Sequence, residues 1–176
     1  MIDTELPSTT DVPGADAAPP KPAPKSSKTS QKSLRRRSRE LALQGLYEWL
    51  LSREKTSVIS AHMREQVNFD PCDAEHFEAL LSGCIAESEA IDVALARHVD
   101  RKLSELSPVE HGVLMIGVYE LTHCIDIPYR VVINEAVELA KSFGGTDGHK
   151  FVNGVIDKTA ADLRAVEVEA ARAARR

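Results

Sequence analysis

Pro128-Tyr129-Arg130-Val131-Val132-Ile133-Asn134-Glu135-Ala136-Val137-Glu138-Leu139-Ala140-Lys141-Ser142-Phe143-Gly144-Gly145 is the stretch on which the fold class turns. It opens with Tyr129 to Ile133, the one β-rich patch of the chain, and so offers the only case for a strand. The patch leads straight into a different rhythm. Val132, Ala136, Leu139, Ala140 and Phe143 recur at i, i+4, i+7, i+8 and i+11, the spacing of one helix face. Pro128 is preorganised for a helix start, and the paired glycines stop the helix after Phe143.

The same punctuation recurs on both sides. Upstream, Ser107-Pro108-Val109-Glu110 combines an N-capping serine, a proline at the first helical position and a glutamate placed to close a capping box. The helix it opens presents Val113, Leu114, Ile116, Gly117 and Leu121, with Tyr119 at its margin, and ends before Asp126-Ile127-Pro128. Downstream, Thr146 or Asp147 is placed to cap a helix with the stripe Phe151, Val152, Val155, Ile156, Leu163 and Val166.

Nearer the N-terminus, Leu34 to Ser52 carries Leu43, Leu46, Tyr47, Leu50 and Leu51 at helical spacing, and Gly45 inside it is either tolerated or marks a neighbour's close approach. A weaker helix over Ser57 to Val67 turns Val58, Ile59 and Met63 inward. Asp70-Pro71 opens the next, with Phe77, Leu80, Leu81, Cys84 and Ile85 on one face; it either continues through Ile91, Leu95 and Val99 or breaks near Ser88. The expectation is an all-α, compact bundle of about six or seven helices joined by short loops.

Residues 1–33 are rich in Pro, Ala, Ser, Thr and Lys and hold too few large apolar groups to offset the entropy of ordering, so they read as a disordered extension. The helical domain spans 34–166, and 167–176 is a helix-prone tail without a stripe. With 176 residues, 43% of them apolar and 28% charged, one domain with a sizeable core is expected. No stretch approaches the ~18 consecutive apolar residues of a membrane span. Met1 to Leu6 lack the basic start and apolar region of a secretion signal, which points to the cytoplasm.

The net charge of −5 discourages a nucleic-acid reading until its distribution is seen. Residues 1–20 carry −4, residues 21–39 carry +8 from four lysines and four arginines, and the remainder carries −9. Segregation this sharp implies a local anion site on an acidic body, or else a solvated basic tail. Arg35, Arg36 and Arg39 fall on neighbouring faces of one helical turn, where guanidiniums converge on adjacent phosphates or stack on bases. Cations at a helix start oppose the macrodipole at ~0.3–1 kcal/mol each, a cost that an arriving polyanion relieves.

Other chemistry is thinly supported. There is no Gly-rich phosphate loop, Gly-x-Ser-x-Gly elbow or His-Glu-x-x-His pair, so no catalytic residue and no cofactor is assigned. Cys72, Cys84 and Cys124 are odd in number and widely spaced, against a disulfide framework or a zinc ribbon, and read as buried thiols. Cys72 and His76 at i, i+4 leave a tetrahedral metal site half empty. Glu135, Glu138 and Asp157 read as solvated helix faces. Asp147, His149 and Lys150 form a polar cluster in one helical turn, better suited to capping or contact than to catalysis.

Arg35-Arg36-Arg37-Ser38-Arg39-Glu40-Leu41-Ala42-Leu43-Gln44-Gly45-Leu46-Tyr47 resembles the opening of the NusB family of bacterial antitermination factors, and Pro128 to Gly144 followed by His149-Lys150-Phe151-Val152-Asn153-Gly154-Val155-Ile156-Asp157-Lys158 is similar to its C-terminal signature. With Glu110 and Tyr119-Glu120-Leu121, the resemblance spans residues 34 to 164. It implies two small helical sub-bundles and no catalytic activity. It also implies binding to the boxA element of nascent RNA, notably from rRNA operons. The implied partners are NusE, a small-subunit ribosomal protein, and the RNA polymerase antitermination complex with other Nus factors.

Carried over by position, the resemblance makes Arg35, Arg36, Arg37 and Arg39 the main RNA grip, completed by Asp147, Lys150, Phe151 and Asn153. It makes Tyr47 and Glu110 positions where the partner docks. Phe151 has two readings, a core side chain or a stacking platform. The chain departs from the pattern in its long extension, in Gly148 where serine is more usual, and in Met115 where a basic residue occurs. An RNA-binding module of an rRNA cytosine methyltransferase and a purely structural helical interaction protein are the alternatives, and a monomer or homodimer is expected.

Overall fold

The structure, a computed structural model, describes residues 30–66, 69 and 71–175. Among these it holds helices only: α1 (Gln31–Ser52), α2 (Thr56–Glu65), α3 (Ala74–Ala86), α4 (Ser88–Ala96), a 3-10 turn (Leu103–Glu105), α5 (Pro108–His123), α6 (Tyr129–Phe143), α7 (Gly148–Leu163) and α8 (Ala165–Ala173). The all-α expectation holds, with the count raised by a break near Ser88 and another at Arg164. The disorder expected for residues 1–33 lies largely outside the described residues. Residues 31–33, however, are helical, because Ser30 caps α1 and accepts from the Ser33 N–H.

α5 is the axis. It packs against α1, α3 and α4 on one side and against α6 and α7 on the other, so it has no solvent face to spare. Val113, Leu114, Met115 and Ile116, four consecutive residues, are all buried, as a central helix that is apolar all round must be. Met115 therefore belongs to the core. One sub-bundle, α1 to α4, and a second, α5 to α8, share this helix.

The capping box at Ser107 forms as expected. The serine hydroxyl accepts from the Glu110 N–H at 3.2 Å and Glu110 accepts from the Ser107 N–H at 3.2 Å. α3 begins later than Asp70-Pro71 suggests: Asp73 is its cap, accepting from the His76 N–H at 3.0 Å. Gly45 marks a close approach, since a Cβ there would lie 2.9 Å from Leu81 Cδ1 on α3. Gly144 ends α6 in an extended conformation, with a Cβ position only 2.6 Å from the Ala140 carbonyl oxygen.

The outer stripes differ from expectation. Val58 is half exposed, and α2 buries Ile59, Ser60 and Met63 instead. Val166 is 83% exposed because α7 stops at Leu163 and the backbone turns at Arg164, which rotates Val168 inward in its place. Residues 165–173, expected as an extension of the last helix and a tail, thus form a separate docked helix. Its anchor is Arg164, which donates to the carbonyls of Glu120, Leu121, Cys124 and Ile127 and so caps the end of α5. Glu167 in turn accepts from the Tyr129 N–H at the start of α6.

Candidate nucleic-acid interface

The start of α1 lies along α6 and the loop before it. Ser38, on the inner face, donates to the carbonyl of Asp73 at 2.6 Å, and Gln31 donates to the Asp73 carboxylate at 2.7 Å. These bonds fix the helix against the cap of α3. Arg35 then reaches the α5–α6 loop, donating to Asp126 at 3.0 Å, and its Nε is buried without a hydrogen-bond partner. The hydrogen bond from Arg35 holds the Asp126 carboxyl below its ordinary range and raises the guanidinium's own.

One turn on, the four arginines divide. Arg36 donates through two nitrogens to Glu135, at 3.0 and 2.9 Å, and keeps 45% of its side chain exposed. That bond to Glu135 raises the Arg36 guanidinium's pKa. Arg37 pairs with Glu40 one turn ahead at 2.9 Å. Arg39 is buried, with 4% of its side chain exposed. Its Nε donates to both oxygens of Glu120, at 2.9 and 3.1 Å, and its Nη1 lies 3.6 Å from Glu135. His76 Nε2 stands 2.9 Å from Glu120 Oε1.

Two guanidiniums from α1, two carboxylates from α5 and α6 and an imidazole from α3 therefore tie four helices together. Arg39, expected in the RNA grip, does not share the exposure of Arg36: its nitrogens face carboxylates in the core. Glu135 is likewise buried and paired, not part of a solvated face, whereas Glu138 is exposed and bonded to Lys141. What sequence reasoning missed is that Glu120 and Glu135 are buried and pair with Arg39 and Arg36. A lone glutamate in the apolar run of α5 was the available signal.

The second group of expected RNA residues stands at the far end of α6. With 15 residues in that helix, its ends are about 20 Å apart. Asp147 occupies the cap position of α7 without capping it; its carboxylate pairs with Lys150 at 2.9 Å, both side chains about three-quarters exposed. Asn153 is exposed. Phe151 is half-buried against the core, with the Arg101 guanidinium 4.7 Å over its ring, so it packs and is covered by a cation.

The expected partner positions come together near that same end of α6. Tyr47, 44% exposed, lines an apolar hollow with Leu43, Val109 and Phe143, itself 40% exposed. Glu110 follows Val109 and lies beside the start of α7, 3.2 Å from the Cβ position of Gly148. His76, a candidate metal ligand with Cys72, is taken up by Glu120. The three cysteines are free thiols. Burial pushes Cys124 up to about 11 and Cys84 well above its ordinary value, so neither is a nucleophile at neutral pH.

A model of the NusB family matches residues 36–161. The chain belongs to the NusB family. The transcription antitermination protein NusB of Cupriavidus pinatubonensis is 55% identical over 160 residues, covering 90% of this chain and 96% of its own length. That of Paraburkholderia phymatum is 58% identical over 140 residues, covering 80% and 97%. Among solved structures, T. maritima NusB superposes with a TM-score of 0.67 at 30% identity, over 77% of this chain and 96% of that one. A crystal structure of the antitermination factors NusB and NusE in complex with dsRNA gives 0.67 at 28% identity, over 73% and 97%. The match to the NusB model takes in Arg36, Arg37 and Arg39 with every other expected site residue except Arg35, which lies one position before it. It ends before Arg164 and α8.

Proposed function

We propose that this NusB-family protein is a non-enzymatic transcription antitermination factor that binds boxA RNA of nascent transcripts, notably of rRNA operons, together with NusE. It does so in the cytoplasm, within the RNA polymerase complex that carries the other Nus factors. The observation that carries the reading is the split of the arginine cluster: Arg39 is spent on holding four helices together, and that platform presents Arg35, Arg36 and Arg37 at the surface. A similar fold crystallised with NusE and dsRNA supports both partners.

In this reading Arg36 and Arg37 exchange their carboxylate contacts for phosphates, which costs little because Glu135 keeps Arg39 beside it. Lys150 and Asn153 meet the RNA about 20 Å further along α6, and the exposed carboxylate of Asp147 weakens that second contact. The hollow at Tyr47 and Phe143, with Glu110 at its edge, takes NusE: an aromatic anchor in an apolar recess next to a charge is the composition of an interface core and rim. Gel filtration of the protein with purified NusE and boxA RNA tests the proposal. Co-elution of all three is expected, and a protein that elutes apart from both would refute it.

A further inference from the structure

Outside the residues that the family model matches, α8 and the turn that follows it carry two arginines that the interface above does not use. The guanidiniums of Arg172 and Arg175, like those of Arg53 and Arg97, have no hydrogen-bond or ion-pair partner among the described residues, whereas Arg35, Arg36, Arg39, Arg64, Arg101 and Arg164 each have one. Val168 and Arg172 stand at i, i+4 on one face of α8, and Arg175, just past its end, lines the same groove as they do. Val168 is buried on that face, which therefore turns toward the body of the protein.

There it lines a groove of about 600 Å³ with Arg130 and Asn134 of α6, in which Asp157 is the one acidic group among the described residues. Arg130 is held across the groove by its own neighbour, donating to the Tyr129 hydroxyl at 3.0 Å. On the other side of Asn134 lies a second groove, about 330 Å³, lined by Lys32 and Arg35 of α1, by Pro128 and Val131, and by the carboxylates of Asp126 and Glu135, both already paired with arginines of α1. The two grooves flank the first turns of α6 and meet at Asn134, and the start of a helix itself favours an anion.

The placement is rigid as well as basic. Arg164 gives four bonds to carbonyls at the end of α5 and in the loop after it and one to Glu167, and Glu167 caps α6, so the first turn of α8 is fixed to both elements that border the grooves. A solvated tail needs no such clamp. We infer that Arg130, Arg172 and Arg175 form a phosphate track that continues from Lys32 and Arg35 and holds the backbone of single-stranded RNA flanking the element gripped by α1. The inference rests on the RNA reading above and adds a sequence-independent contact to it.

The test uses the full chain and two single-stranded RNAs, the boxA element alone and the same element with unstructured flanks on both sides, in fluorescence anisotropy over a range of salt. The double variant Arg172→Ala/Arg175→Ala should bind the flanked RNA about fivefold to tenfold more weakly, the value of two exposed ion pairs. Its log–log salt slope should fall by about 1.4, for two single-strand phosphates. Affinity for the bare element should stay at the wild-type level, and Arg172→Lys/Arg175→Lys should keep most of the flank-dependent gain. Equal affinity and slope for the flanked RNA in the wild type and the alanine variant would overturn the track while leaving the RNA reading intact. An equal loss on both RNAs would also overturn it, since α8 would then be acting on the α1 grip. A wild type that binds neither RNA would overturn the RNA reading, and the track with it.

Discussion

Arg39 and Lys150 each stand 2.9 Å from a carboxylate, yet the two pairs do different work. Arg39 and Glu120 expose 4% and 1% of their side chains; Lys150 and Asp147 expose 72% and 75%. In water an ion pair exchanges readily with solvent and ions and is worth about 0–1 kcal/mol. In the core, neither partner can be removed without stranding the other. The contrast separates the basic residues of this protein into those that build the platform and those that face solvent, a division that charge counting cannot make.

The largest effect should come from breaking the buried pair. Glu120→Ala leaves the Arg39 guanidinium in the core with Glu135 shared between it and Arg36, and should cost about 3–5 kcal/mol in urea unfolding. A cost under about 1 kcal/mol would mean that water reaches Arg39 and that the two pairs are alike.

Arg36 lies between the extremes, half exposed and bonded twice to Glu135. Arg36→Ala should weaken boxA binding about fivefold to tenfold and lower the salt slope by about 0.7, one single-strand phosphate. Its stability loss should be smaller than that of Glu120→Ala, since Arg39 still faces Glu135. An unchanged salt slope would place Arg36 with Arg39, as architecture.

At the exposed end, Asp147→Asn removes a carboxylate from beside Lys150 and should tighten RNA binding by a few-fold, about 0.2–1 kcal/mol, without moving the melting temperature. Weaker binding would show that the carboxylate contacts the RNA. The smallest effect concerns Asp126, whose carboxyl Arg35 holds below its ordinary range. A lowered native value means that the contribution is present above the unfolded carboxylate range, near ~4, and fades as pH falls through the native value. Asp126→Asn should therefore lose stability relative to wild type at pH 6, by an amount that shrinks as the pH falls below the unfolded carboxylate range; a difference that stays constant into acid would assign the effect to packing.

The helices around the core were legible because their signals are local. The Ser107-Pro108-Val109-Glu110 start, the Phe143-Gly144 stop and the stripe of α6 each lie within a few residues, and they form as read except that Phe143, last of the stripe, is exposed. The break at Arg164 was not legible, since it depends on four carbonyls contributed by residues about 40 positions away. For the same reason Arg39 could not be told from its neighbours: what separates it from Arg36 is Glu120, 81 positions on, which burial in α5 makes an obligatory partner. Spacing placed the arginines on one turn, and only the packing of α5 and α6 decided which of them face outward.

The most direct measurement is the affinity of the wild-type protein for boxA RNA and for a scrambled RNA of equal length, by fluorescence anisotropy at physiological salt, with and without NusE. Tighter binding to boxA than to the scrambled RNA, with the difference widened by NusE, is the predicted result. Equal affinities for the two RNAs, unchanged by NusE, would contradict it.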